Sequence, residues 1–292
     1  MIPENLREVR PGFGGFDEPY KVAEVVFVGV PLDLTSSYRP GSRFAPARIR
    51  EASMNLESYV MPRLDVFERL HISDIGDLDL LGADVETSGG RIEEVVRKLR
   101  EDGKIPAMLG GEHTLTYFAL KTFDDVFVLQ LDAHRDLRDE FRGEALCHAT
   151  FMRRVLESIP PERLIQIGTR SCSKEEEEFA RGSELHTFTT EDVLEDPLEM
   201  MERVRKLVGE APVYLTVDLD VLDPAFAPAV ATPEPGGLTT LDLLKIVRGL
   251  EGLNIRGFDV VEFTPPYDNG TTAFVAARII YEILAAMAGS RE

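Results

Sequence analysis

The 292-residue sequence is poor in several residue types, and each shortage excludes a class of protein. It has only two cysteines, Cys147 and Cys172. Two thiols cannot build a multi-disulfide framework or a four-thiolate zinc site, so we expect both to be unpaired. No segment reaches the roughly 18 consecutive apolar residues of a membrane span, and the N-terminal segment MIPENLREVRPGFGG lacks the apolar run of a signal peptide. These absences predict a cytoplasmic protein that does not enter a membrane.

Positive charge is also scarce, since 32 lysines and arginines face 52 aspartates and glutamates and the net charge is −20. No basic run interrupts this excess of negative charge. Such a surface repels the phosphate backbone of nucleic acids and the head groups of anionic lipids. We therefore expect neither as a partner, and small cations are the favoured ligands.

The remaining sequence has the pattern of one α/β domain over residues 1–292, because apolar runs recur from Val25 almost to the C-terminus without a repeat or a linker. Short β-branched runs alternate with helical patterns, which is typical of a parallel sheet covered on both faces. Ligands of such sheets bind beyond the carboxyl ends of the strands. The predicted strands are 25–30, 105–110, 126–132, 163–170, 213–220 and 255–263, and the predicted helices are 46–57, one from about 113, 174–181, 197–208, 240–250 and 271–287.

Two of these strands end in alternating acidic residues. FVLQLD leads into Asp132, His134 and Asp136, and VYLTVD leads from Asp218 to Asp220. Residues i and i+2 of an extended strand point to the same side, so each set can face one site. An isolated D-x-D could instead cap a helix or lie on a solvated rim. Buried carboxylates without a counter-charge are costly, so two such sets together favour a bound cation.

A third segment, MLGGEHT, places His113 at the start of a helix that follows a short strand. A lone histidine is more often a hydrogen-bonded surface or core residue than a ligand. However, three of the five histidines, His113, His134 and His148, fall in these segments. Two imidazoles and four carboxylates suit borderline-to-hard divalent ions and exceed what one tetrahedral ion uses. Two ions about 3.5–4 Å apart lower the pKa of a shared water, which predicts metal-assisted hydrolysis.

The motifs GGEHT, DAHRD, DLDVLDPAFAP with TPEPGGLT, and DVVEFTPPYD occur in this order. Together they resemble the arginase/agmatinase ureohydrolase family, and agmatinase most closely, from about Val25 to Ala285. The resemblance implies a three-layer α/β/α sandwich around a central, mostly parallel sheet of about eight strands. It also implies two Mn²⁺ ions per subunit and a homo-oligomer, either a trimer or a hexamer.

The resemblance also implies residue roles. His148 matches the family histidine that relays a proton, although it could be a helix-start histidine without a role. Glu262 matches the family acid that pairs with the planar guanidinium of the substrate, although it could be an ordinary rim glutamate. His113 and Asp136 would bind the first ion, and His134 and Asp220 would bind the second. Asp132 and Asp218 would bridge both ions.

The implied reaction is hydrolysis of agmatine to urea and putrescine, a step of polyamine biosynthesis. Alternative substrates are N1-aminopropylagmatine, which would give spermidine and urea, arginine and guanidinobutyrate. Asp139, Glu140 and Glu144 precede His148 and would favour a tail that ends in an amine if they line the mouth of the site. They could equally be solvated surface charges.

Two other classes remain open from the residues. A two-metal phosphoesterase would need cationic side chains for phosphate oxygens, and Arg135 and Arg138 are available. A metal-stabilised homologue without turnover would need neither His148 nor Glu262. Their presence favours an enzyme.

Overall fold

The computed structural model describes residues 5–15, 18–62 and 64–289. Within these ranges the strands are β1 Leu6–Arg7, β2 Val25–Gly29, β3 Tyr59–Val60, β4 Leu64–Asp65, β5 Ile72–Leu78, β6 Ile105–Leu109, β7 Phe127–Leu131, β8 Leu164–Thr169, β9 His186–Thr189, β10 Pro212–Asp218 and β11 Asn254–Val261. The α-helices of the same ranges are α1 Ala45–Ser53, α2 Val66–Arg69, α3 Val85–Glu101, α4 Thr114–Leu120, α5 Phe151–Val155, α6 Lys174–Gly182, α7 Thr190–Glu195, α8 Pro197–Val208, α9 Thr240–Gly249 and α10 Thr271–Gly289.

Nine of the described strands form one sheet in the order β1, β5, β2, β6, β11, β10, β7, β8, β9. Strand β1 pairs with β5 in the antiparallel direction, and the other eight run parallel. The predicted parallel sheet of about eight strands is therefore confirmed. A short antiparallel hairpin of β3 and β4 lies outside it.

Helices cover both faces of the sheet, because successive residues of a strand point to opposite sides. In β2, Val25 and Phe27 belong to the apolar core beneath α1, α2 and α7 to α10. Val26 and Val28 belong to a second core beneath α3 to α6. The buried strands thus read as continuous apolar runs rather than as alternating ones, and the three-layer prediction is confirmed.

The longer elements that the sequence patterns missed include β5 and α3, and the patterns also missed β9 and several short strands and helices. Strand β5 reads ISDIGDL, and its polar residues Ser73 and Asp74 are nevertheless buried. Helix α3 contains the pair Gly89–Gly90, which reads as a helix breaker. A Cβ on Gly89 would lie 2.0 Å from the ring of Phe118, so this glycine allows α3 to pack closely against α4. The helix predicted at 46–57 ends at Ser53.

Helix α10 is long and apolar enough to cross a membrane by length and composition. However, 83% of its apolar window is buried inside the fold, against α1 and α9. Its apolar character is therefore that of a core helix.

Four adjacent central strands, β6, β11, β10 and β7, bring the predicted site residues together. His113 follows β6, Glu262 follows β11, Asp218 ends β10 and Asp132 follows β7. Because parallel strands end at the same edge, these four segments meet at the carboxyl edge of the sheet.

Candidate metal centre and active site

The first part of the site surrounds the ring of His113. Its Nδ1 lies 3.2 Å from Oδ2 of Asp132 and 3.2 Å from Oδ2 of Asp218. Oδ2 of Asp136 lies slightly farther from the same nitrogen, at 3.6 Å. All four side chains are buried. Three acidic groups therefore converge on one imidazole nitrogen, and His113, Asp132 and Asp218 are placed so that they could hold a metal ion.

The second part surrounds His134, whose Nδ1 lies 2.8 Å from Oδ2 of Asp220 and 3.7 Å from Oδ1 of Asp132. These three residues also could hold a metal ion. Asp132 belongs to both groups and presents one oxygen to each imidazole. The structure thus brings all six predicted ligands into one cluster. Their division between two ions stays a prediction.

The backbone before and after the ligands is shaped by the same carboxylates. Asp218 accepts a hydrogen bond from the amide of Asp220 at 2.8 Å, and Asp132 accepts one from the amide of His134 at 2.6 Å. Capping, the alternative explanation for such a motif, is therefore also present at Asp218, which caps the 3-10 helix Leu219–Val221, whereas Asp132 only holds a local turn. One oxygen of each carboxylate holds the turn and the other faces an imidazole.

Among the described residues, three that are not glycine have positive φ, and two of them are predicted site residues. Asp136 has φ 54° and Glu262 has φ 65°. This region is sparsely populated by residues with a Cβ, and it persists where the surrounding structure enforces it. Such strain is concentrated at functional sites.

The cluster has more buried acids than bases. Burial, together with the charge of Asp132, raises the pKa of Asp136 well above its usual value. Burial and the charges of Asp220 and Asp132 do the same to the pKa of Asp218. Burial opposes charging of His113, but its hydrogen bonds to Asp132 and Asp218 raise its pKa well above the usual value. Protons thus stabilise the excess of carboxylates, and divalent cations would replace them on binding.

The orientation of His113 is fixed from behind by a buried carboxylate. Its Nε2 lies 2.8 Å from the hydroxyl of Thr216, which donates its own proton to Asp259 at 2.5 Å. Since that proton is committed, the hydroxyl must accept from Nε2–H, and Nδ1 is left to face the acids of the cluster, where a bound metal ion would replace its proton. Asp259 also accepts from Thr116 at 2.9 Å and from Tyr214 at 2.6 Å.

Asp132 is supported by two buried amides. Gln130 donates to its Oδ2 at 2.8 Å, and Gln166 donates to Gln130 at 2.8 Å. Gln166 in turn accepts from Arg135 at 3.0 Å. Arg135 thus supports the cluster from behind and does not line the cleft.

Glu262 follows β11, which is separated by β10 from β7, the strand that precedes His134. Its Oε1 accepts a hydrogen bond of 2.6 Å from the amide of His113, and burial raises its pKa to about 8. The two glycines before His113 allow the backbone to pack closely, because a Cβ on Gly110 would lie 2.6 Å from the carbonyl oxygen of Val260 and one on Gly111 would lie 2.0 Å from that of Leu32. The glycine pair of GGEHT therefore has a packing function.

His148 follows the acidic loop and lines the same cleft. Its Nδ1 lies 3.2 Å from Oγ1 of Thr35, and its Nε2 lies 3.1 Å from Oγ of Ser37. Burial, reinforced by the positive charge of His134, lowers its pKa to about 4. The ring is therefore neutral at neutral pH.

The cleft is strongly acidic. Asp139, Glu140 and Glu144, the three acids considered from the sequence, are exposed and do not line it, and Asp139 pairs with Arg154 at 2.6 Å. Among the described residues, Arg138 is the one arginine of the lining. Its Nε lies 3.5 Å from Oε2 of Glu176. The acids that do line the cleft are Asp136, Glu176, Asp218, Asp220, Glu234 and Glu262.

Sequence reasoning missed the residues that hold the predicted site in place, namely Thr35, Glu112, Gln130, Thr216 and Asp259. Four of them lie inside motifs already singled out, which is a signal that could have found them: Glu112 in GGEHT, Gln130 in FVLQLD, Thr216 in VYLTVD and Asp259 in DVVEFTPPYD. Thr35 lies more than a hundred residues from His148 in sequence, so no local pattern joins the two.

The fold and the cluster together define a class, a three-layer α/β protein with a carboxylate–imidazole site for divalent ions at the carboxyl edge of its sheet. The family model for the arginase family matches residues 23–286. An agmatinase of Bacillus anthracis is 43% identical over 91% of this chain and 92% of its own length. The mitochondrial guanidino acid hydrolase of Homo sapiens is 39% identical over 90% of this chain and 78% of its own.

A solved structure, that of the agmatine ureohydrolase of Thermoplasma volcanium, superposes with a TM-score of 0.85. It is 39% identical and covers 92% of this chain and 91% of that one. The chain belongs to the arginase family, and it is an enzyme of the ureohydrolase type. The predicted family and enzyme class are confirmed.

Proposed function

We propose that the protein hydrolyses agmatine to urea and putrescine with two Mn²⁺ ions bound by the cluster, and that it serves polyamine biosynthesis. The observation that carries this proposal is the acidic cleft in which Glu262 faces a cluster of four aspartates and two histidines. Oxygen and imidazole nitrogen donors without a thiolate ligand suit Mn²⁺. When bound, the ions supply a water of lowered pKa as the nucleophile.

The protein's own residues bind and orient the substrate. Once ionised, Glu262 pairs with the guanidinium through a charge-assisted, planar contact. Glu234, an acid of the lining outside the metal cluster, also favours a cationic substrate. His148 exchanges a proton with the reacting nitrogen and so assists departure of the amine. Products of this cleavage are urea and a free amine.

The tail of the substrate would extend toward Glu234, a half-buried residue of the same lining. The backbone carbonyl oxygen of Glu234 accepts a hydrogen bond of 2.6 Å from Arg170. The carboxylate of Glu234 has no hydrogen-bond partner within the described residues. An amine at the end of the tail would supply one. This contact favours agmatine or N1-aminopropylagmatine over arginine and guanidinobutyrate, whose tails carry a carboxylate.

Arg138 supports the competing reading, a guanidino acid hydrolase, because a guanidinium in the lining could bind a carboxylate tail. Glu176 lies beside Arg138 and offsets its charge, which favours the amine-tailed substrates. The human guanidino acid hydrolase makes this alternative worth a direct comparison.

The test is urea release by the Mn²⁺-loaded protein with agmatine, N1-aminopropylagmatine, arginine and 4-guanidinobutyrate side by side, with a metal-stripped control. We expect release from an amine-tailed substrate, and a rise of about tenfold in its KM in Glu234→Gln. Arg138→Met is the matched variant, and it should change that KM little. Release from 4-guanidinobutyrate alone, lost in Arg138→Met, would replace agmatine with a guanidino acid.

Several further predictions belong with this proposal. They are a cytoplasmic location, one domain over residues 1–292 and assembly into trimers or hexamers. Native mass measurement would test the last of these, and a monomer at working concentration would contradict it.

A further inference from the structure

The loop at residues 33–37 closes over His148 and gives both nitrogens of its ring a hydroxyl partner. Thr35 Oγ1 lies 3.2 Å from Nδ1, and Ser37 Oγ lies 3.1 Å from Nε2. A hydroxyl can donate or accept, so these distances alone do not place the ring proton. The other partners of Thr35 do place it.

The hydroxyl of Thr35 donates its only proton to Glu112. This glutamate is fully buried, and its Oε2 accepts the backbone amides of Leu34 and Thr35, both at 2.7 Å. Its Oε1 accepts the Thr35 hydroxyl at 2.8 Å. The hydroxyl of Thr114 also bonds to Glu112 and lies at the longer distance of 3.4 Å from Thr35 Oγ1. Burial raises the pKa of Glu112, but its four hydrogen-bond donors, the amides of Leu34 and Thr35 and the hydroxyls of Thr35 and Thr114, oppose this and favour its carboxylate form. With Glu112 ionised, Thr35 has no proton to donate to His148.

Thr35 Oγ1 can still accept two hydrogen bonds. The backbone amide of His148 supplies one, at 3.0 Å. Nδ1 can supply the second only if it carries a hydrogen. We propose that Thr35, held by Glu112, is a positioning residue that keeps a proton on Nδ1 of His148, so that the ring exchanges protons only through Nε2.

The assignment is the same for a neutral and for a protonated ring, because Nδ1 donates to Thr35 in both. Nε2 faces Ser37, which lines the cleft with His148. Proton exchange is thus directed into the cleft. The catalytic meaning of this arrangement rests on the proposed function, whereas the position of the proton does not.

The position of the proton can be measured by solid-state ¹⁵N NMR of the full-length chain labelled in its five histidines. The sample is studied metal-free and loaded with Zn²⁺, since Mn²⁺ would broaden nearby signals, and His148→Asn assigns the signal. We expect a protonated, pyrrole-type Nδ1 and an unprotonated, pyridine-type Nε2 in a neutral ring. A neutral His148 with its hydrogen on Nε2 would overturn the proposal.

Three variants test the cause. Thr35→Val keeps the shape but removes the acceptor, so a signal of protonated Nε2 should appear, and kcat should fall about ten- to a hundredfold while KM stays within about twofold. Thr35→Ser should restore Nδ1–H and most of kcat. In Glu112→Gln the new amide would donate to Thr35, whose proton would then turn to Nδ1, and the tautomer should invert.

Ser37→Ala is the matched control for the NMR measurement, because it removes the partner of Nε2 and leaves Thr35 in place. It should keep Nδ1–H. Loss of Nδ1–H in this control, or an unchanged tautomer in Thr35→Val or Glu112→Gln, would contradict the role of Thr35 or its anchor. Absence of urea release from every substrate would remove the proposed function and leave the tautomer result standing, so the two failures are distinguishable.

Discussion

Two of the places where the chain buries charge differ in the balance between acids and bases. Arg50 of α1 makes four hydrogen bonds, two to Asp74, one to Asp77 and one to the carbonyl oxygen of Gly76. The metal cluster instead contains four aspartates and two histidines. Burial and the charges of the neighbouring carboxylates raise the pKa of Asp136 and of Asp218. A buried group whose donors match its acceptors holds the fold together, whereas a buried excess of acids indicates a site for a cation.

The largest expected effect comes from removing the shared ligand. Asp132→Ala should abolish binuclear metal occupancy and lower urea release by about a thousandfold or more, because one residue serves both parts of the cluster. The fold should be kept, but the metal-free variant should be less stable than the parent, because Asp132 pairs with both imidazoles and accepts hydrogen bonds from Gln130 and the amide of His134. Metal analysis, turnover and unfolding in a chelator would measure these quantities, with exposed Asp139→Ala as the control. Two ions per chain and near-normal turnover would refute the proposed centre.

The balanced cluster should respond in the opposite way. Arg50→Met leaves Asp74 and Asp77 without their counter-charge and should lower the free energy of unfolding by about 3–5 kcal/mol. Arg48→Met is the control on the same helix, because Arg48 pairs with Glu51 at the surface and should cost under about 1 kcal/mol. Denaturant unfolding would compare them. Equal losses for both arginines would remove the distinction between the clusters.

Asp259 lies between these two cases, because it is a buried carboxylate with hydroxyl donors that reaches the metal cluster through Thr216. Asp259→Asn should weaken Mn²⁺ binding about ten- to a hundredfold by freeing the ring of His113. Thr216→Val should have a similar effect, and Thr116→Val a smaller one. Titration with Mn²⁺ followed by electron paramagnetic resonance measures the affinity. Unchanged affinity in the first two variants would assign this network to stability alone.

The smallest expected effect concerns pH. Because burial raises the pKa of Glu262 to about 8, its carboxylate ionises as the pH rises through that value. The substrate guanidinium stays protonated over this range, so kcat/KM should rise about tenfold per pH unit below pH 8 and level off above it. Glu262→Gln should be less active and lack this rising limb. The same limb in the variant would assign it to another group.

The sequence was sufficient to predict the elements whose residue pattern directly reflects their burial in the fold. Apolar runs that end in aspartate predicted β7 and β10, and their adjacency in a parallel sheet explains why Asp132 and Asp218 meet. Strand β5 escaped prediction because its polar residues are buried by a partner, Arg50, that is distant in sequence. Helix α3 escaped prediction because Gly89 reads as a helix breaker, and its reason, the close packing of Phe118 of α4 against it, is not visible in the sequence.

The support of the candidate site could not be predicted for the same reason. Thr216 is two residues before Asp218, but its significance depends on Asp259, which comes from the neighbouring strand. Thr35 depends on Glu112 and His148, each from a different segment. Hydrogen-bond direction can be worked out only when all partners of a hydroxyl are known, and that information exists only in the folded chain.

The spacing of the ligands also has a mechanical consequence. An ion held between His113 and Asp218 would join residues 105 apart, and one between His134 and Asp220 would join residues 86 apart. In a chain with only two cysteines, bound ions would therefore act as its long-range cross-links. The unfolded chain cannot offer these ligands together without closing long loops, so the ions bind the folded state preferentially and the melting temperature rises with their concentration.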